Sequence, residues 1–186
     1  FVAQVNKITS IGYDKPTRSK IDAAIETYEQ LTEKEASIVP EETISRLRDL
    51  NAAYFMIGEI QNVKKVEYTD SYLEALQNAR ENYDHLTPSQ QALISNYADL
   101  VAAEADYSAI DSVVQLIKGI GNLSYGAESK GKIDAARAGY NALTDEQKAR
   151  FPSSWLKQLA NYEKAYSVLE KINTIDNISD IFSKVE

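Results

Sequence analysis

Residues 68–87 read YTDSYLEALQNARENYDHLT, and the pattern of this segment occurs three times along the chain. In each version a tyrosine stands fifteen residues before a second tyrosine, and Leu-Thr follows three residues later. The three versions begin at Tyr13, Tyr68 and Tyr125, at intervals of 55 and 57 residues. A repeat of this length predicts an array of small structural units.

Apolar spacing predicts the helices that make up each repeat. The segment Val2–Ile11 carries Val5, Ile8 and Ile11 three residues apart, which suits one face of a first helix. A second helix follows, whose apolar residues have the 3-4-3 spacing of a packed seam. Its members are Ile21, Ala24, Tyr28 and Leu31, with copies at Leu76, Ala79, Tyr83 and Leu86 and at Ile133, Ala136, Tyr140 and Leu143.

A capping box follows each second helix, at Thr32, Thr87 and Thr144. In such a box the threonine oxygen accepts from an amide three residues on, and a Glu or Gln side chain accepts from the threonine amide. Each cap is expected to contribute about 1 kcal/mol. Pro40 and Pro152 follow in repeats one and three and have no counterpart in repeat two. We therefore predict a break and a restarted third helix in repeats one and three only.

The third helices are predicted to run on into the next repeat. Between Glu41 and Val66 there is no proline and one glycine, Gly58, which predicts a continuous helix of about 39 Å. Its middle, residues 53–57, is apolar on every side, so Phe55 is predicted to be buried where two successive bundles press on one helix. A second connector is predicted from Gln90 to about Ile120, ended by Gly119 and Gly121.

The predicted fold is all-α, with tandem three-helix bundles joined by shared long helices in a spectrin-like rod geometry. The predicted boundaries are 1–56, 57–108 and 109–168 for the three repeats. Residues 169–186 begin a further repeat or form a C-terminal cap, since Ile175 and Ile178 resume the spacing of Ile8 and Ile11. The alternative is a bent string of bundles, with the connectors broken at Gly58 and near Asp111.

Composition narrows the classes of function. A net charge of −8 and a pI near 4.8 argue against nucleic acid and anionic membranes as partners. Cysteine is absent, which excludes disulfides and thiolate metal sites. No apolar run approaches the roughly 20 residues of a membrane span, so membrane insertion is not expected. The chain opens with Phe-Val-Ala-Gln, and we expect a fragment of a longer protein without its signal peptide.

Three segments resemble tandem repeats of large secreted and wall-attached proteins of Gram-positive bacteria. They are residues 132–148, KIDAARAGYNALTDEQK, residues 96–104, NYADLVAAE, and residues 68–76, YTDSYLEAL. The last segment is also similar to small helical modules of clostridial glycosidases and surface proteins. The resemblance covers nearly the whole chain and implies an extracellular or wall-attached spacer or binding module, while repeats one and three depart from its pattern at Pro40 and Pro152.

The residues of the chain indicate no catalytic chemistry, so we predict a non-enzyme without a cofactor or a bound metal. The single histidine, His85, ends a second helix, where a cation is favoured by the helix dipole. Asp22 and Glu26 have the spacing of a carboxylate pair, but a solvated helix face explains them better.

The candidate ligand contacts are Trp155, Phe151 and Tyr125. Trp155 follows Pro152-Ser153-Ser154 and has no aromatic equivalent in the other repeats, although it also suits a core position. Phe151 lies close to it in sequence, at the entry to the third helix of repeat three. Tyr125 lies at a turn, where it suits either a ligand contact or a cap over the end of the bundle.

Two functions remain open. The first is a monomeric structural spacer that projects neighbouring domains of the same parent protein from the cell surface. The second is a binding module, for example in adhesion, for a host protein, a glycan or a cell-wall polymer.

Overall fold

The fold is all-α, as predicted. The computed structural model describes residues 1–183, with side chains as far as residue 176, and this part contains ten helices and no strand. The helices are α1 (Val2–Asn6), α2 (Lys15–Glu29), α3 (Glu33–Ala36), α4 (Glu41–Val63), α5 (Asp70–Asp84), α6 (Pro88–Gln91), α7 (Tyr97–Lys118), α8 (Ala127–Ala142), α9 (Asp145–Arg150) and α10 (Ser153–Ser183).

The chain separates into two compact units, Phe1–Glu104 and Ala105–Glu186. The first unit contains α1 to α6 and the start of α7, and the second contains the rest of α7 with α8 to α10. These compact units do not test the division of the sequence into repeats at 1–56, 57–108, 109–168 and 169–186, which stays a prediction.

The seam of the second helix is buried at the same places in all three repeats. Its first two positions are Ile21 and Ala24 in α2, and the matching residues of α5 and α8 are buried as well. The tyrosine that follows is half-buried in each helix, so its ring packs while its hydroxyl group can reach water. The buried counterparts are Leu76 and Ala79 in α5 and Ile133 and Ala136 in α8.

All three predicted capping boxes are confirmed. The oxygen Oγ1 of Thr32, Thr87 and Thr144 accepts from the amide three residues on, at 3.3, 3.3 and 3.2 Å. In return, the side chains of Glu35, Gln90 and Gln147 accept from the threonine amides at 2.9, 3.0 and 3.0 Å. Each box starts one of the short helices α3, α6 and α9, which turn the chain towards the third helix.

The first connector is one uninterrupted helix. α4 runs from Glu41 through Gly58 to Val63, three residues short of the predicted end, so the alternative break at Gly58 is wrong. It packs against α1 and α2 and also against α5 and α6. Its residues Leu47, Leu50 and Tyr54 share a core with Val5. At its other end, the Tyr72 hydroxyl of α5 donates to the Val63 carbonyl at 2.6 Å.

The first helix of repeat one is shorter than predicted. α1 ends at Asn6, and Ile8 is buried outside the helix. The guanidinium of Arg46 donates to the Ile8 carbonyl at 3.1 Å, and Tyr13 packs on Tyr54 further along α4. The segment between them therefore runs alongside α4. Its β-branched residues, serine and glycine weaken a helix, and the three-residue apolar spacing suits this path as well.

The prediction that only repeats one and three break before the third helix is wrong. In repeat two, α6 ends at Gln91 and α7 restarts at Tyr97, so the second connector begins later than Gln90. The Asn96 side chain holds the segment between the two helices in place by donating to the Ile57 carbonyl at 3.0 Å. Ile94, two residues earlier in the chain, is buried. A tertiary hydrogen bond thus takes the place of proline. α7 continues through Asp111 and ends at Lys118, just before Gly119, which rules out the alternative break.

The prediction that Phe55 is buried is also wrong. Ala53, Tyr54, Met56 and Ile57 are buried, but Phe55 is 51% exposed. α1, α2, α5 and α6 pack on α4 and bury the residues on either side of Phe55 in sequence, while Phe55 lies on a side of the helix that they leave open.

Candidate functional site

The three predicted ligand contacts lie against different neighbours, and their role stays a prediction. Phe151 is buried at the end of α9, where its ring meets Tyr140 edge-on at 5.2 Å. Trp155 is half-buried in the first turn of α10, and the Lys118 ammonium lies 5.4 Å from the centre of its ring. Both aromatic rings therefore contribute to packing within the second compact unit.

Tyr125 is the exposed member of the three. It is 53% exposed and stacks on Tyr166 of α10 at 6.3 Å. The Tyr166 hydroxyl donates to the Gly126 carbonyl at 3.0 Å and accepts from the Gly126 amide at 3.3 Å. Tyr166 thereby holds the turn in which Tyr125 lies, and Tyr125 covers that side of α10.

A different aromatic surface, which we call the Phe55 platform, lies in the first compact unit. It consists of Tyr13, Tyr54, Phe55 and Arg18. Tyr13 is 45% exposed and packs on Tyr54 at 4.9 Å, and Tyr54 meets Phe55 edge-on at 5.7 Å. Gly58 makes this possible, because a Cβ atom there would lie 2.3 Å from the Tyr13 ring. The platform combines two exposed aromatic rings with one guanidinium.

Arg18 is held in place on the platform from its other side. Its Nε donates to Asp22 at 2.8 Å and its Nη1 to Asn51 at 2.8 Å, while its guanidinium carbon lies 5.1 Å from the centre of the Phe55 ring. The hydrogen bond to Asp22 raises the pKa of Arg18, and the same bond lowers the pKa of Asp22. Asp22 is thus kept ionised by its cation, which is the opposite of what a general acid needs.

Sequence reasoning missed two ion pairs that repeat between the second and third helices. Arg80 donates through Nε and Nη2 to Glu104, both at 2.7 Å, and Arg137 donates in the same way to Glu163 at 2.6 and 2.8 Å. The hydrogen bonds to glutamate raise the pKa of both arginines. The sequence carries a signal that could have predicted these pairs, because each of the four charged residues stands three positions before a repeat tyrosine.

Repeat one lacks this ion pair and has a cavity beside the matching positions. The matching positions hold Ile25 and Asn51, and the cavity beside them measures 190 Å³. Its walls also include Tyr28, Ile44 and Leu47, and it is flanked by Glu29 and Arg48. The cavity therefore has an apolar floor with charged groups at its rim.

The single histidine of the sequence lies at the end of a helix. His85 caps the end of α5, with its Nδ1 hydrogen-bonded to the Glu81 carbonyl at 2.8 Å, which is the structural position that the sequence predicted. Within the described residues, no group of three or more His, Asp or Glu side chains could hold a metal ion. The described helices also include none with the length and apolar character of a membrane span.

The second compact unit exposes an apolar stripe on α10. Val168, Ile172 and Ile175 are spaced as one helix face and are 54%, 48% and 64% exposed. We call these three residues the α10 stripe. Ile178, which the sequence places in the same pattern, lies outside the residues whose side chains are described.

No protein-family model, curated protein or solved structure matches this chain.

Proposed function

We propose that this chain is a helical spacer of an extracellular bacterial surface protein. It consists of three tandem three-helix units in a spectrin-like arrangement, in which the third helix of one unit is the first helix of the next. It acts as a monomer that holds neighbouring domains of its parent protein away from the cell wall. The resemblance of residues 132–148 to repeats of Gram-positive wall proteins supports the location.

The observation that carries the proposal is the double use of α4. This helix of 23 residues is about 34 Å long, and helices from two successive repeats pack on it. A helix shared in this way couples the two repeats without a flexible linker. One repeat therefore cannot change its orientation relative to the other without disrupting the packing on the shared helix. Such coupling is what a spacer requires.

The buried core positions that recur in all three repeats also favour a spacer. Val5, Ile60 and Ile117 stand eight residues before the turn tyrosines of the three repeats, and all three are fully buried. Ile8, Val63 and Ile120 stand five residues before them and are also buried. A spacer requires only that the core positions recur in each repeat, with polar residues between the seams.

The Phe55 platform favours the binding module as a second candidate function. Phe55 itself has no aromatic counterpart in the other repeats, where Ser108 and Ser167 stand at its position. Tyrosine and arginine are prominent among residues that dominate binding energy in protein interfaces. Among a host protein, a glycan and a wall polymer, this composition favours a protein.

A binding survey distinguishes the two functions. The parent chain is tested on a glycan array, against purified wall polymer and against host matrix proteins, beside the variants Phe55→Ser and Trp155→Ala. A spacer shows no saturable binding, and its solution scattering is that of an elongated monomer. Saturable binding that Phe55→Ser abolishes in a folded protein would replace the spacer with the binder. Binding lost only in Trp155→Ala would move the site to the second compact unit.

A further inference from the structure

The α10 stripe has a buried counterpart within the same chain. Val168, Ile172 and Ile175 stand two, six and nine residues after Tyr166, the repeat tyrosine of the third helix. The residues at these distances after Tyr54 are Met56, Ile60 and Val63. All three are at most 3% exposed on α4. The same apolar spacing is therefore buried on α4 and exposed to solvent on α10.

On α4, the helix α5 buries the matching apolar face. α5 packs along this part of α4, and its buried residues are Tyr72, Leu76 and Ala79. Alanine at the third of these positions allows close approach of the two helices. Polar contacts fix the register: the Tyr72 hydroxyl donates to the Val63 carbonyl at 2.6 Å, and the Asn82 amide donates to Glu59 at 2.9 Å.

We propose that the α10 stripe is the docking surface for a helix of the α5 kind, contributed by a further copy of the repeat in the same polypeptide. Equal spacing on α4 and α10 requires the same seam in the partner, with a large apolar residue followed three positions later by alanine. The proposal does not require the chain to be a spacer, because an array of binding modules would be joined in the same way.

Surface chemistry distinguishes the stripe from ordinary exposed apolar residues. Isolated apolar side chains are common on protein surfaces, whereas three on one helix face form a continuous strip that water solvates poorly. The neighbouring positions Glu170 and Lys171 are charged, so the apolar face has polar edges. This is the pattern of an amphipathic helix that lacks its packing partner.

A graft tests the proposal on the whole chain. Residues 64–96, which contain α5 and α6, are joined a second time directly after Ile175, as they follow Val63 in the natural sequence. Amide hydrogen exchange of residues 168–175 is then compared with that of the parent chain. We expect exchange to slow by about tenfold or more, because covering the helix makes local opening rarer.

Matched controls keep the result interpretable. The graft with the substitution Leu76→Asp in its second copy, or with Ile172→Gln in α10, is expected to lose the added protection. In the chain without a graft, Ile172→Gln is expected to leave the thermal midpoint unchanged. Loss of protection in these controls shows that the stripe and the seam meet.

Three results would overturn the proposal. In the first, the graft becomes helical but exchange of residues 168–175 stays as in the parent. In the second, the grafted segment remains unfolded on α10, which shows that the stripe has no affinity for it. In the third, the parent forms a concentration-dependent dimer that Ile172→Gln abolishes, which makes a second copy of the chain the partner. The first two outcomes leave the binding survey that tests the spacer unaffected, whereas the dimer would also contradict the proposed monomer.

Discussion

The helices α4 and α10 occupy the same place in the repeat and have different surroundings. Both follow a capping box and a proline, and both carry a leucine seven residues before a buried tyrosine. Beyond that tyrosine, α4 is covered by α5, while α10 presents the exposed stripe. The comparison shows that sequence periodicity marks a face for burial, and that the next element of the chain determines whether it is buried.

The largest expected effect separates the covered face from the open one. Ile60→Gln should lower the free energy of unfolding by about 3 kcal/mol, because it removes buried apolar surface and buries an amide. Ile172→Gln, at the matching position of α10, should change it by less than about 0.5 kcal/mol. Denaturant unfolding followed by circular dichroism measures both. Equal effects would contradict the difference between the two helices.

The second prediction concerns Gly58 of α4, where α10 has Glu170. Alanine normally stabilises a helix relative to glycine by about 1 kcal/mol. At Gly58 the new Cβ atom would overlap the Tyr13 ring, so we expect Gly58→Ala to lose about 1 kcal/mol of stability instead. In a chain that already carries Tyr13→Ala, the same substitution should be stabilising. If Gly58→Ala stabilises the parent chain, the Tyr13 ring does not lie on α4 as described.

The third prediction concerns the ion pair that α10 makes and α4 lacks. Glu163→Gln should cost about 1 kcal/mol, since Arg137 loses its carboxylate in a partly exposed bidentate pair. The double variant Arg137→Ile with Glu163→Asn copies the Ile25 and Asn51 pair found beside α4. A double-mutant cycle should give a favourable coupling energy between Arg137 and Glu163, whereas strictly additive effects would contradict the pair.

The smallest expected effect is local and depends on pH. The Thr32 hydroxyl and amide donate to Glu35 before α4, and these bonds lower the pKa of Glu35. The contribution of Glu35 to the cap is complete above about pH 4.3, the ordinary value for glutamate, and is lost as the pH falls through the lowered pKa. The box before α10 uses Gln147, which does not titrate.

Nuclear magnetic resonance can follow this difference. Acidification should shift the Thr32 amide resonance and speed exchange in α3, while the Thr144 amide stays constant. Glu35→Gln is the matched control, because it keeps the capping geometry and should remove the pH dependence. A Thr32 amide that does not respond to acid would show that Glu35 does not bind it in solution.

Local signals predicted much of the fold correctly. The capping boxes depend on four consecutive residues, and all three form as expected at Thr32, Thr87 and Thr144. The seam positions Ile21 and Ala24 and their copies, all buried, could be predicted because periodicity along one helix is a local property. The continuity of α4 was predictable for the same reason, since the segment contains no proline and a single glycine.

Predictions that depended on neighbours were less successful. Repeat two breaks before its third helix because Asn96 binds the Ile57 carbonyl, 39 residues earlier in the chain. The candidate surface residues also differ from those that the sequence singled out. Phe151 is buried on Tyr140, while Phe55, for which the sequence predicts burial, is among the most exposed aromatic residues.

The sequence by itself determined that the chain is helical, where its short helices begin, and which positions recur in every repeat. These properties depend on hydrogen bonds and spacings within a few residues, which the order of amino acids specifies directly. Tertiary structure alone decided that Phe55 faces solvent, that Arg137 meets Glu163, and that Ile172 is open while Ile60 is covered. Burial depends on which other element arrives at a face, and that element can lie anywhere along the chain.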